Sequence, residues 1–483
     1  MKRIKYYLRR IFSVDLTSLG FFRIGLGLVL IFDLAYRTTS FTAHYSSKGV
    51  LPLSLLSEFK NSQYLWGLFF FDGSLLFQGI IFLCGFLFAV LLIVGFCSRT
   101  MAFLSWFILL SIHNRNPLLV SFGDNALLLF LFWSIFLPIG ARLSLDAYGR
   151  RNSPKYVNSY ISFGSVVIIS QVLILFLTNV ILKSKHVWLT EGSAFYYAYN
   201  LDFFLSESGI QKAKFFINHS KLFSNFIWYW ELIGTILLVI PFGFPGFRVL
   251  GILGFLVIQI VYAGTMNIGI YPYIIMVSLL LFVPTQTWKI LEVNTDKSVG
   301  IQATSGNLFT KILLGFFIVC SLNRILVARN IKRPFPAFLE VTSGYLHLDQ
   351  NWSMLAPFPS QDDGWFSIVV RNSSADEIEW LTSVSTQNLK QTTKPENINE
   401  TFRTPQWALY FWNLKSIGGF GLKEHLAQFI CHDWNTKKTK RQPINQVSIY
   451  YYYEPTPKFK LAATPNARPV LLHQADCPQL SKP

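Results

Sequence analysis

Apolar runs close to twenty residues long recur along this chain, and they limit what it can fold into more than any other feature. The stretch 75–97 has no charged side chain. About twenty apolar residues in a helix match the hydrocarbon thickness of a bilayer, a length that a soluble core does not require. Candidate spans read by hydropathy are roughly 17–36, 75–97, 100–113, 125–141, 160–182, 225–242, 247–264, 270–285 and 308–326. Nine spans from a cytoplasmic N-terminus put the C-terminus outside. An eight-span version, with one hairpin between 225 and 285 re-entrant, is the alternative.

Of the 483 residues, 52% are hydrophobic and 17% aromatic, and the mean hydropathy is +0.39. The expected fold class is a polytopic α-helical membrane protein, with about 8–9 transmembrane helices and a C-terminal β-rich soluble domain. The net charge of +17 points to anionic headgroups and the cytoplasmic face, not to nucleic acid. The N-terminal "MKRIKYYLRR" carries five basic residues and no small-residue cleavage site follows the first run, so residues 1–15 read as a basic cytoplasmic start before a signal anchor. Arg142, Arg150, Arg151 and Lys155 after the fourth run fit the same side.

Residues 16–326 form the expected helical domain. From about 327 Ser, Thr, Asn and Gln increase, and pieces such as "WFSIVV" and "QVSIYYYY" read as strands, which gives a β-rich extracytoplasmic domain over 327–455. The Pro-rich, polar stretch 456–483 is expected to lack fixed structure. Cys431 and Cys477 fall in this polar half and can pair if it is extracytoplasmic, although spacing alone does not show it.

One connection breaks the apolar pattern. "SIHNRNPLLVSFGDNALLLF" places His113, Asn114, Arg115, Asn116, Asp124 and Asn125 between two spans. If the third span begins at Arg99, His113 is only roughly 21 Å along the helix, short of a hydrocarbon layer of about 30 Å. Irregular backbone at that depth needs protein or a water-filled cavity around it, so these six residues are candidate cavity walls, with Arg115 and Asp124 as mutual partners. The competing reading is a short external loop with solvated charges.

Other polar groups fall at a similar depth. Lys183 ends the fifth span, where a lone lysine ordinarily snorkels. Glu231 sits inside "FIWYWELIGTILLVI", where an acid is costly in lipid unless it faces a cavity. Asn267 joins two later spans on the same side. Arg23 and Asp33 in the first span are too far apart for a same-face pair and need other partners. No phosphate-binding loop, zinc signature or nucleophile elbow occurs, and no metal is predicted.

The blocks "SLGFFRIGLGLVLIFDL", "HYSSKGVLP", "NRNPLLVSFGD", "LFWSIFLPIGARLSLDA", "LKSKHVWLTEGSAFYYA" and "MNIGIYPYIIM" resemble the horizontally transferred transmembrane (HTTM) family, best known through the vitamin K-dependent γ-glutamyl carboxylases. The likeness covers about residues 14–290, and "LDQNWSMLAPFPSQDDGW" resembles the tail of many bacterial members. It implies a bacterial inner-membrane protein with reduced vitamin K or menaquinone as cofactor, and it leaves room for an extracytoplasmic protein or peptide substrate. In that family a lysine shortly before a Trp-x-x-Gly pattern removes the substrate proton; here "WLTEG" sets the Trp and Gly one residue further apart. The resemblance therefore makes Lys183, ahead of Trp188 and "WLTEG", the expected base, with Glu231 as a second catalytic group. A lysine accepts a proton only when neutral, and a low-dielectric pocket favours that form. Where the carboxylases carry a histidine, two residues before the Met-Asn of "MNIGIY", this chain has Gly264. A non-catalytic lipid- or quinone-binding protein is the alternative.

Overall fold

The computed structural model describes residues 2–58, 62–148, 158–240, 245–293, 301–304, 308–328, 336–348, 354–374, 376–381, 394–402, 404–416, 420–436, 442–461 and 467–478. Arg150, Arg151 and Lys155 lie outside the described residues.

Nine helices fall on the nine apolar runs: α1 (Leu16–Thr38), α2 (Leu75–Val94), α3 (Ser98–Arg115), α4 (Phe122–Ser134), α5 (Phe163–Leu182), α6 (Ser220–Val239), α7 (Pro245–Thr265), α8 (Tyr271–Leu279) and α9 (Leu308–Ala328). Five of them, α1, α2, α5, α6 and α7, are long and apolar enough to cross a membrane. In outline this is a helical membrane protein. Its amphipathicity is inverted relative to a soluble bundle. On α2 the exposed residues Leu76, Ile80, Leu83, Leu87, Val90 and Val94 recur every three or four positions and form an apolar outer stripe, while Gln78 points inward and is fully buried. Such a face is stable against hydrocarbon and not against water.

Local sequence sets the helix starts. Asp15 caps α1 by accepting from the amides of Thr17 and Ser18 at 2.7 and 3.2 Å. Ser121 and Asp124 form a reciprocal capping box that starts α4. At the end of the bundle near residue 15, three short strands, β1 (Val14–Asp15), β2 (Ser159–Ile161) and β3 (Ile301–Ala303), make a small sheet.

The C-terminal region is α+β, not simply β-rich. Strands β4 (Trp365–Asn372), β5 (Glu377–Glu379), β6 (Ile444–Tyr453) and β7 (Arg468–Asp476) form an antiparallel sheet in the order β5-β4-β6-β7. Helices α10 (Pro405–Ser416) and α11 (Phe420–Thr436) accompany it, and α11 packs on β6 and β7. The aromatic run "WALYFWNL" has no strand alternation, because its residues fill a helix face: Trp407, Tyr410, Phe411 and Leu414 are all buried.

Strand β7 lies inside 456–483, where no fixed structure was expected, although 462–466 and 479–483 remain outside the described residues. Pairing with β6 supplies its backbone partners, and Cys477 is bonded to Cys431 on α11. That bond closes a loop of 46 residues. Reducing it is expected to destabilise the C-terminal region by about 2–4 kcal/mol, read as a lower thermal midpoint in a reductant. An unchanged midpoint with both thiols titratable would show that the sheet holds β7 unaided.

Candidate functional site

The C-terminal region docks on one end of the bundle, and a cavity of about 720 Å³ lies where they meet. Its walls come from the ends of α1, α4, α7 and α8, from α10, and from the segment 354–360. Phe203, Phe204, Tyr262, Tyr273, Phe358 and Trp412 contribute aromatic rings to the lining, and Asp33, Arg37 and Asp124 give it one charged corner.

That corner is an ion triad. Arg37 Nε donates to Asp33 Oδ2 at 2.8 Å and Nη2 donates to Asp124 Oδ1 at 2.6 Å. Arg37 Nη1 donates to the Tyr45 hydroxyl at 2.9 Å. The Ser121 amide donates to Asp124 Oδ2 at 2.6 Å, so the helix cap and the triad share one carboxylate. All three charged groups are at least 96% buried. The expected Arg115–Asp124 pair does not form. Arg115 turns instead to the carbonyl oxygens of Leu51 and Ser46, both at 2.8 Å, and ties down the 46–51 loop. The partner missing from the sequence reading is Arg37, which the spacing of four from Asp33 on one helix would have revealed. Arg23, the other charge in α1, donates to the Leu143 carbonyl.

The elbow is therefore not a solvated loop. His113, Asn114, Arg115 and Asn116 are buried, Asn114 Nδ2 donating to the Trp66 carbonyl at 2.8 Å and Asn116 Nδ2 to that of His44 at 3.1 Å. These four lie outside the cavity wall, whereas Asp124, Asn125 and Asn267 are part of it. Both nitrogens of His113 lack a hydrogen-bond partner among the described residues.

Lys183 and Glu231 form a second site outside the cavity wall. Lys183 follows the last residue of α5 and turns inward, with Nζ 2.7 Å from each Glu231 oxygen and 4.0 Å from the centre of the Trp188 ring. It does not snorkel: its side chain is 3% exposed. Trp188 sits on a π-helical turn, His186–Thr190, which carries the ring back over the amine. The two sites adjoin through Tyr262 and Tyr271, which line the cavity and lie within the field of Glu231. The amide of Ser184 donates to the Pro357 carbonyl at 2.8 Å, so the 354–360 segment touches both sites.

Polar contacts also fix the docked region. Asn413 Nδ2 donates to the Leu118 carbonyl at 2.8 Å, and the His44 ring packs on Trp407 at 4.5 Å. Burial, reinforced by the Arg37 guanidinium, pushes the His44 imidazole down to about 3, so it packs as a neutral ring. Lys394 bridges Asp202, Asp363 and Glu454. Burial and then the Asp202 carboxylate push Asp363 up to about 7, against the pull of Lys394.

Comparison of the chain with family models, with curated proteins and with solved structures finds no match.

Proposed function

We propose that this chain is a membrane-embedded, quinol-linked enzyme of the HTTM type, with Lys183 as its base and the aromatic cavity as its quinol pocket. The observation that carries the reading is the enclosure of the Lys183 amine against Glu231 and Trp188 at a helix end. On this reading the nine helices are spans, the N-terminus is cytoplasmic, and the sheet domain with its disulfide is extracytoplasmic in a bacterial inner membrane.

A quinol of the reduced vitamin K or menaquinone class, together with oxygen, would supply the oxidation that in the resembled family drives proton removal. The cavity suits such a molecule. Its volume falls within the usual range for small-molecule pockets, its aromatic walls match a fused ring and an apolar tail, and its charged corner offers hydrogen bonds to ring oxygens. The chain's own contribution is the handling of a proton. Lys183 and Glu231 are in direct contact, so moving a proton from Nζ to the carboxylate leaves a neutral amine while the pair as a whole keeps its charge. That amine can then accept a proton from a substrate. Strict γ-glutamyl carboxylation is a narrower claim, and Gly264 argues against it.

The test is a turnover assay. Protein purified in detergent and given reduced menaquinone or reduced vitamin K with oxygen should form the quinone epoxide, and failure with every quinol removes the enzyme reading. One observation favours the second reading, a non-catalytic quinone- or lipid-binding protein: Asp33, Arg37 and Asp124 in the cavity wall bind one another, and Lys183 lies outside that wall. It predicts a ligand that co-purifies in stoichiometric amount with no epoxide formed.

A further inference from the structure

We infer that Asp33, His113 and Asp124 form a binding site for a divalent first-row transition cation at the charged corner of the cavity. Three different helices, α1, α3 and α4, deliver these residues, and one ligand atom from each lies within 4.8 Å of the others. No metal signature in the sequence announces the site, because no two of its donors share a helix.

His113 supplies the independent observation. It is 1% exposed, and neither ring nitrogen has a hydrogen-bond partner among the described residues. A neutral imidazole has one donor and one acceptor, and leaving both unmet in a buried position is costly. A cation at the corner satisfies the acceptor nitrogen. Charge points the same way: two carboxylates against one guanidinium leave one negative charge within this group uncompensated.

The surroundings suit ligation. Arg37 engages one oxygen of each carboxylate, and the Ser121 amide and hydroxyl both donate to the second oxygen of Asp124. Carboxylate oxygens carry two lone pairs, so Asp124 Oδ2 is filled by its two Ser121 donors, while Asp124 Oδ1 and the Asp33 carboxylate, which accept from Arg37, keep lone pairs for a cation. Such outer partners are what fixes ligands around a metal. One imidazole and two carboxylates form a mixed nitrogen and oxygen set that suits zinc, iron(II) or manganese better than magnesium or a thiolate-loving ion. Three protein donors leave a coordination position open. Asp33 and Asp124 line the cavity and His113 does not, so the open position is on the cavity side.

The inference goes beyond the quinol reading and does not depend on it. The full chain, purified in detergent and stripped with a chelator, would be dialysed against Zn²⁺, Mn²⁺ or Mg²⁺ and its metal content measured. One Zn²⁺ or Mn²⁺ per chain is expected. His113→Gln and Asp33→Asn should each weaken binding by at least about 100-fold, since outer-sphere changes alone cost 10–100-fold. Content well under one ion per chain with both Zn²⁺ and Mn²⁺ overturns the site, and would mean that a proton shared by the two acids neutralises the corner. So does undiminished affinity in both variants. If the variants do not fold, Co²⁺ bound to the unaltered protein decides. A visible spectrum of low-coordinate cobalt supports the site, and the spectrum of the aqueous ion sinks it. Metal content and epoxide formation are separate readouts, so either idea can fail without the other.

Discussion

Arg37→Leu is expected to destabilise the protein by about 3–5 kcal/mol, the usual cost of removing one partner from a buried ion pair. The substitution leaves Asp33 and Asp124 facing each other without the guanidinium, and it also strands the Tyr45 hydroxyl. Most of the effect comes from that residual charge and not from lost attraction, which makes it reversible by design. Asp33→Asn and Asp124→Asn added to Arg37→Leu should recover a large part of the loss, because neutral amides are far cheaper to bury than carboxylates. Denaturant unfolding in detergent measures both steps. A single variant within about 1 kcal/mol of the parent would place the triad in the class of weak surface pairs and remove its claim to organise the corner.

The triad also shows which parts of the molecule the sequence made legible. Helix positions were legible because hydrophobic length and capping are local: the Ser121–Asp124 box and the nine apolar runs each need only neighbouring residues to be read. Inward burial of Lys183 followed from the resemblance and not from periodicity, since a lysine at a span end looks the same whether it turns outward or inward. Partner choice was the illegible part. Arg115 and Asp124 are nearer in sequence than Arg37 and Asp124, yet the fold sends Arg115 to two loop carbonyls and brings Arg37 across from another helix. Polar groups at similar depth divide into two clusters separated by Tyr262 and Tyr271, and depth along a span says nothing about position around the bundle. In the C-terminal half, the pieces "WFSIVV" and "QVSIYYYY" read as strands and fall in β4 and β6, while the aromatic residues of α10, whose burial follows a helix face, gave no strand signal.

The Lys183–Glu231 pair gives the sharpest separation between a structural and a chemical role. Lys183→Ala should lower epoxide formation by about 10²–10⁴-fold, the typical contribution of a positioned base. That result alone is ambiguous, since it also leaves the mostly buried Glu231 without its partner. The double variant Lys183→Met with Glu231→Gln resolves it. Exchanging a buried ion pair for neutral groups of similar volume is often neutral or better for stability, so this protein should unfold close to the parent while its turnover stays at the Lys183→Ala level. Bound quinol should persist in both variants, because neither residue lines the cavity. Recovered turnover in the double variant would mean that the pair only braces α5 against α6. Lost activity at full stability and full quinol occupancy leaves the amine itself as the group that moves the proton.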